Sequence, residues 1–251
     1  MHKNNNHREE RKPREHNDER PRGNDRERND RPAPNTGGKY PGVFKITGKL
    51  ATRNLVPGEK VYGEDLVKQQ GDEYRLWDPT RSKLGAALVK GIKNMPIAPG
   101  AKVLYLGAAN GTTVSHVSDI LGEKGEVYAL EFSPRAMRDL IFLCEKRSNI
   151  YPVLADARLI DNYREDVPEV DVIFADVADR DQTNIALHNA KAFHAKYIMI
   201  AIKARCIDSI KHPREVYQEQ RRLLEKEATV TDFIMLDPFE IDHCFIVAKM
   251  K

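Results

Sequence analysis

The chain has 251 residues and a formal net charge of +3, which is length enough for one α/β domain with a small appendage and too little bulk charge to argue for nucleic acid on its own. No apolar run reaches the ~18 residues that span a bilayer and the N-terminal residues hold no signal-peptide h-region, so a soluble intracellular protein is expected. Cys144, Cys206 and Cys244 form no Cys-x-x-Cys pair or Cys/His cluster, which points to a reducing compartment and no structural zinc.

Residues 1–38 hold almost no apolar side chain and cannot bury enough surface to offset the entropy of ordering, so a disordered tail is expected. Its Lys and Arg outnumber Asp and Glu by only ten to eight, the balance of a solvated polyampholyte, and His2, His7 and His16 lack metal-site spacing. From Lys39 to Leu76 the texture changes to short β-prone runs, such as Gly42–Thr47 and Lys60-Val61-Tyr62, divided by Gly48, Pro57-Gly58, Gly63 and Gly71-Asp72. This predicts a small antiparallel β subdomain over 39–76.

Asp78-Pro79 predicts a helix start, cap then proline, with Leu84, Ala87, Leu88, Ile92 and Met95 on one face and Lys83 off it. After Pro99-Gly100, strands near 102–107, 126–131, 150–155, 170–175 and 196–202 alternate with helices near 112–121, 134–147, 158–166 and 182–195, the βαβ grammar of a parallel sheet. In the helix that Ser133-Pro134 opens, Met137, Leu140, Ile141 and Cys144 read as the inward face. A helix near 213–227 follows, then strands near 229–236 and 243–249 joined by Asp237-Pro238-Phe239, which would bring one antiparallel strand into the sheet. The expected architecture is α/β over 77–251.

Ligands of open α/β sheets sit outside the carboxyl ends of the strands. There the first strand ends in Gly107, and Gly107-Ala108-Ala109-Asn110-Gly111-Thr112-Thr113 opens the next helix, a loop whose glycines let backbone approach a ligand closely. The second strand ends in Glu131, 24 residues on from Gly107 and near the spacing of roughly 20 at which a carboxylate binds a ribose diol. Together they point to a nucleoside cofactor. The third strand ends in Asp156-Ala157, suited to the amine and edge of an adenine, although Asp156 as a cap for the following helix is an equal alternative. Asp176 and Lys203 end the fourth and fifth strands, within reach of each other. A plain ion pair is the bland reading, but charges beside a cofactor loop at a cleft mouth are where acid/base groups belong.

Four segments carry a family resemblance: Tyr74–Leu84 (YRLWDPTRSKL), Tyr105–Thr113 (YLGAANGTT), Tyr128–Arg135 (YALEFSPR) and Phe174–Ala178 (FADVA). Together they resemble fibrillarin, the methyltransferase of box C/D small ribonucleoproteins, and the likeness runs from Lys39 to Lys251. The resemblance implies a class I S-adenosylmethionine-dependent fold, Rossmann-like, with a seven-stranded mostly parallel sheet and one antiparallel strand. It implies methyl transfer to a ribose 2′-hydroxyl of rRNA, or tRNA, with no metal. The family's Lys-Asp-Lys-His set falls on Lys83, Asp176, Lys203 and His243. The cofactor set falls on Gly107, Ala108, Ala109, Gly111, Thr112, Thr113, Glu131, Phe132, Asp156, Ala157, Asp176 and Gln182. Asp179 stands where Gln or a similar neutral residue is expected, and Cys244 where Ala is common. The tail, with only Gly23, Gly37 and Gly38, lacks the Gly/Arg-rich character of eukaryotic fibrillarins, so the resemblance is to the archaeal type, cytoplasmic in a cell without a nucleolus.

Implied partners are a box C/D guide RNA and its target RNA, a scaffold protein of the Nop5/Nop56/58 type and a kink-turn-binding ribosomal-type protein. No RNA-reading aromatic platform is visible, as expected if base pairing supplies specificity; Arg81, Lys83, Arg205 and Lys211 are candidate phosphate contacts. The rivals are an NAD(P) dehydrogenase, disfavoured by Gly-x-x-x-Gly in place of Gly-x-Gly-x-x-Gly, a non-catalytic RNP scaffold, and protein glutamine methylation as a side activity.

Overall fold

The computed structural model describes Met1 and residues 39–251; the tail expected to be disordered lies, Met1 apart, outside the described residues. Two hairpins build the first sheet. β1 (Val43–Ile46) and β2 (Lys49–Arg53) are joined by Thr47-Gly48, and β3 (Leu66–Gln69) and β4 (Asp72–Leu76) by Gln70-Gly71. All four linking residues have positive φ, the conformation in which a two-residue turn matches strand twist. The sheet is antiparallel, in the order β1-β2-β4-β3. Lys60-Val61-Tyr62 is not a strand: the Val61 and Tyr62 N–H groups donate to the Glu64 carboxylate, which takes the place of a strand partner.

The helix expected from Asp78 is two pieces. Asp78 caps a single 3-10 turn (Pro79–Arg81), and Ser82 then caps α1 (Lys83–Lys90) through its hydroxyl, which accepts from Gly85 N–H. α1 closes at Gly91, φ 90°, so Ile92 and Met95 lie beyond it. Ser82 thereby makes Lys83 the first residue of the helix.

The second sheet has the order β10-β11-β9-β8-β5-β6-β7. Its strands are β5 (Lys102–Leu106), β6 (Glu126–Glu131), β7 (Ile150–Leu154), β8 (Val172–Ala175), β9 (Tyr197–Lys203), β10 (Ala228–Met235) and β11 (His243–Met250). β5 to β9 pair in parallel, and β11 runs antiparallel to both neighbours. Both faces are covered, so successive residues of one strand serve different cores: Val103 and Tyr105 join the cluster under α1, α2 (Thr112–Leu121) and α3 (Pro134–Cys144), whereas Leu104 and Leu106 join that under α4 (Gln182–Ala192) and α6 (Pro213–Glu225). This is why the central strands read as unbroken apolar runs. Each rim of the sheet is interrupted, β7 by Pro152 and β10 by a bulge between Val230 and Asp232.

Three local expectations change. α3 ends at Cys144, not 147, and buries Met137, Leu140 and Leu143, while Ile141 is exposed; Arg147 turns inward instead. The helix expected near 158–166 is one 3-10 turn, Ile160–Asn162, because the segment wraps the buried Tyr163, whose hydroxyl donates to Ala157 C=O and Asn189 Oδ1. A short helix, α5 (Ala204–Ile207), directly follows β9.

A buried ionic seam joins the small sheet to α2. Arg75 of β4 donates to Glu64, Asp119 and Ser115, and Arg147 donates to the other oxygen of Asp119. None of these four ions is more than 6% exposed. His116 of α2 is held beside them by the hydroxyls of Thr52 and Tyr62, each 2.8 Å from a ring nitrogen, and stacks on Trp77 with ring centroids 4.4 Å apart. Burial and the two guanidinium groups hold its pKa well below the ordinary value, so the ring stays neutral.

Candidate active site and cofactor cleft

The loop after β5 must be glycine where it turns. Gly107 has φ 84°, and a Cβ there would stand 2.6 Å from the Asp176 carbonyl oxygen; at Gly111, φ 89°, a Cβ would meet Leu143 at 2.5 Å. The loops after β5 and β8 can pack this closely only without a side chain. Glu131, almost fully buried, accepts Ala109 N–H on one oxygen and Ser133 N–H on the other, both at 2.8 Å. It thus shapes the loop while its free lone pairs remain for a ligand.

A cavity of about 270 Å³ opens over these strand ends. Gly107, Ala109, Glu131, Phe132, Asp156, Ala157, Asp176 and Lys203 line it, together with Arg158 and Asp179. Asp156 caps no helix. Its carboxylate accepts the Arg158 backbone N–H at 2.9 Å and two guanidinium N–H groups, which hold its pKa below the usual carboxylate range. Arg158 Nη1 also reaches to 3.6 Å from Asp179, so the carboxylate standing where a neutral residue was expected has a cation opposite it.

At the other end of the cleft, Asp176 sits between two ammonium groups. Lys83 Nζ donates to Oδ2 at 3.2 Å, and Lys203 Nζ lies 3.2 Å from Oδ1. Antiparallel pairing sets His243 directly across from Lys203 in the β9–β11 register. His243 Nδ1 donates to Ile241 C=O at 2.7 Å, which leaves Nε2 as the basic nitrogen of the neutral ring. Glu240 Oε1 stands 4.0 Å from Lys83 Nζ. Asp176 just after β8, Lys83 at the start of α1, Lys203 at the end of β9 and His243 at the start of β11 thus share this end of the cleft, with Glu240 as a second acid beside Lys83 and His243. Among the described residues no group of three or more His, Cys, Asp or Glu side chains could hold a metal.

The family model described as Fibrillarin matches residues 35–251. The chain belongs to the fibrillarin family. A fibrillarin-like rRNA/tRNA 2′-O-methyltransferase of Pyrococcus furiosus is 50% identical over 218 residues, 84% of this chain and 96% of that protein. Aeropyrum pernix fibrillarin, solved with natively bound S-adenosyl-L-methionine, superposes with a TM-score of 0.76 at 45% identity, covering 83% of this chain and 94% of that one. A fibrillarin solved in complex with Nop5p superposes with a TM-score of 0.78 at 36% identity, covering 84% and 98%.

Not every residue of the expected fibrillarin cofactor set lines the cavity. Ala108 is buried, Gly111 packs on α3, and Thr112 and Thr113 form the first turn of α2. Gln182 is fully buried, its Oε1 accepting the Lys203 backbone N–H at 3.1 Å and its Nε2 donating to Asp179 C=O at 2.9 Å. The candidate phosphate contacts have partners of their own: Arg81 lies over the Tyr62 ring, Arg205 donates to Asp242, and Lys211 donates to Glu219. Arg158 and Glu240 escaped the sequence reading. Arg158 had a local signal, standing two residues after an Asp at a strand end; Glu240 had only its place three residues before His243.

Proposed function

We propose that this chain transfers the methyl group of S-adenosylmethionine to the 2′-hydroxyl of a ribose in rRNA or tRNA that a box C/D guide RNA has paired. The observation that carries this reading is Asp176 held between Lys83 and Lys203 at the end of the Gly107–Glu131 cleft, in a fibrillarin half identical to a 2′-O-methyltransferase.

The cleft fits the cofactor's nucleoside. Glu131 accepts from ribose hydroxyls, and Asp156 from an adenine amine. The cofactor, when bound, supplies an activated methyl on a sulfonium, so the protein's work is to place an oxygen in line and remove its proton. Lys83 and Lys203 stabilise negative charge developing on that oxygen. Asp176 holds the two ammonium groups apart by giving each its own oxygen. The acceptors within the cluster for the hydroxyl proton are Asp176 and His243 Nε2.

The fibrillarin solved with Nop5p supports a Nop5-type scaffold as the partner that mounts this chain on the RNA. Guide RNA and a kink-turn-binding protein complete the proposed particle, and the archaeal-type relatives make the cytoplasm its expected place. The test is transfer of labelled methyl to an RNA paired with a box C/D guide, with and without the partner proteins, followed by mapping of the modified ribose. Label at one guide-determined 2′-oxygen, dependent on the partners, is the expected result; methylation of unguided RNA by the chain alone would remove the guide and scaffold from the reading.

A further inference from the structure

The hairpin of β10 and β11 lies along α1 and meets it at three places. Asp232 of β10 accepts the backbone N–H groups of Lys93 and Asn94, just past the helix, at 2.6 and 3.0 Å. Lys90, the last residue of α1, donates through Nζ to Asp237 C=O at 2.7 Å. At the first residue of the helix, Lys83 Nζ stands 4.0 Å from Glu240 Oε1. The turn itself sets Glu240 there: its N–H and that of Phe239 donate to the C=O of the fully buried Leu236, whose own N–H donates to His243 C=O and closes the hairpin. The other Glu240 oxygen lies 3.9 Å from His243 Nδ1, and His243 faces Lys203 in the paired strand β9. Glu240 therefore stands between the helix that supplies Lys83 and the strand pair that supplies Lys203 and His243.

A lysine ammonium rides on a flexible stem, so a single carboxylate leaves it free to swing. Lys83 has one aligned hydrogen bond to a carboxylate, at Asp176 Oδ2, and Asp176 is shared with Lys203. We propose that Glu240 is a positioning residue for methyl transfer: its carboxylate is the second anchor of the Lys83 ammonium, fixing its place beside the reacting oxygen while Asp176 divides itself between two cations. This rests on the methyltransferase reading above. Charge balance favours the same role, since Asp176 and Glu240 match Lys83 and Lys203 one for one. A pair 4.0 Å apart and partly open to water adds little to folding stability. Its effect is on geometry, where a displacement of ~1 Å in a reacting group can cost about 10²-fold in rate.

Glu240→Gln keeps the shape and removes the charge. In the assembled particle with guide and target RNA it is expected to lower kcat by about tenfold, while KM for S-adenosylmethionine and for target RNA stays within about twofold, the pattern of a lost transition-state interaction. In a Lys83→Ala background the same substitution is expected to cost less than about twofold, because a residue that acts through Lys83 then has nothing left to place. In the chain by itself, the Lys83 Cε resonance, assigned by its absence from Lys83→Arg, moves in Glu240→Gln and the thermal midpoint stays in place. An equal loss in both backgrounds would show that Glu240 acts apart from Lys83 and overturn the proposal. A raised KM with kcat retained, an unmoved Lys83 resonance, or a kcat loss that only follows a lower thermal midpoint would also overturn it. If the wild-type particle transfers no methyl, the methyltransferase reading falls, and the Lys83 resonance still decides whether Glu240 holds that ammonium.

Discussion

The seam under α2 and the cluster at the cleft mouth are built from the same kinds of ions and differ in how completely they are satisfied. In the seam, Arg75 spends its fork on Glu64, Asp119 and Ser115, and Asp119 is shared between two guanidinium groups with both oxygens engaged. In the cluster, the side chains of Lys83, Asp176 and Lys203 are 15 to 20% exposed, and Asp176 Oδ1 has Lys203 at 3.2 Å without an aligned hydrogen bond. Sealed charges with every lone pair taken hold the small sheet to α2 and have nothing left to offer a substrate. Half-open charges with spare donors can change partner when an oxygen arrives, which is what a reacting site requires.

The same substitution in both places sharpens this contrast. Asp119→Asn takes the shared negative charge away from two buried guanidinium groups and is expected to cost about 3–5 kcal/mol of folding stability, read as a large drop in denaturant midpoint. Asp176→Asn is expected to leave that midpoint nearly in place while cutting guided methyl transfer by about 10²–10³-fold; comparable stability losses in the two variants would erase the distinction.

Lys203→Ala follows, with turnover reduced by about 10²-fold and S-adenosylhomocysteine affinity almost unchanged by calorimetry, because its ammonium faces Asp176 while Gln182 holds only its backbone. A matching loss of cofactor affinity would move Lys203 from the reaction to the binding of the donor.

The seam also predicts a pH response. His116 has a depressed folded-state pKa, so its contribution is complete above its unfolded value of about 6.5 and is lost as pH falls towards the folded value, by at most about 1.4 kcal/mol per pH unit for one proton. Denaturant midpoints measured from pH 8 to 5 should fall in the wild type, and Asn or Gln at position 116 should flatten that slope. The smallest effect is expected at the cleft rim: Arg158→Ala frees Asp156 and Asp179 but removes an exposed pair, so cofactor affinity should change only about two- to threefold and the change should fade in high salt.

What could be read from the chain follows the range of each interaction. The glycine loop, Glu131, Asp176 and Lys203 announce themselves because strand ends are marked by a local change from apolar to polar, and parallel pairing then sets those ends side by side. The seam was invisible for the opposite reason: Arg75 and Asp119 are 44 residues apart, each an ordinary charge in its own neighbourhood, and only the packing of β4 on α2 brings them together. The region around 158–166 shows local pattern losing to tertiary demand, since the need to bury Tyr163 beside Asn189 outweighs a moderately helical composition. Thr113 illustrates a subtler limit. Its place in the loop was plain, but the direction of its hydroxyl depends on Ser82 in a different helix.

The interrupted rims of the large sheet bear on how this protein is gripped by others. Pro152 removes an N–H from β7 and the bulge at Val230/Asp232 breaks the ladder of β10, so neither border offers the row of unpaired groups that another chain needs in order to add a strand. Partners are thereby steered towards side-chain contacts on faces and loops, and neighbouring copies of this chain have no ready seam along these borders on which to fuse into a continuous sheet.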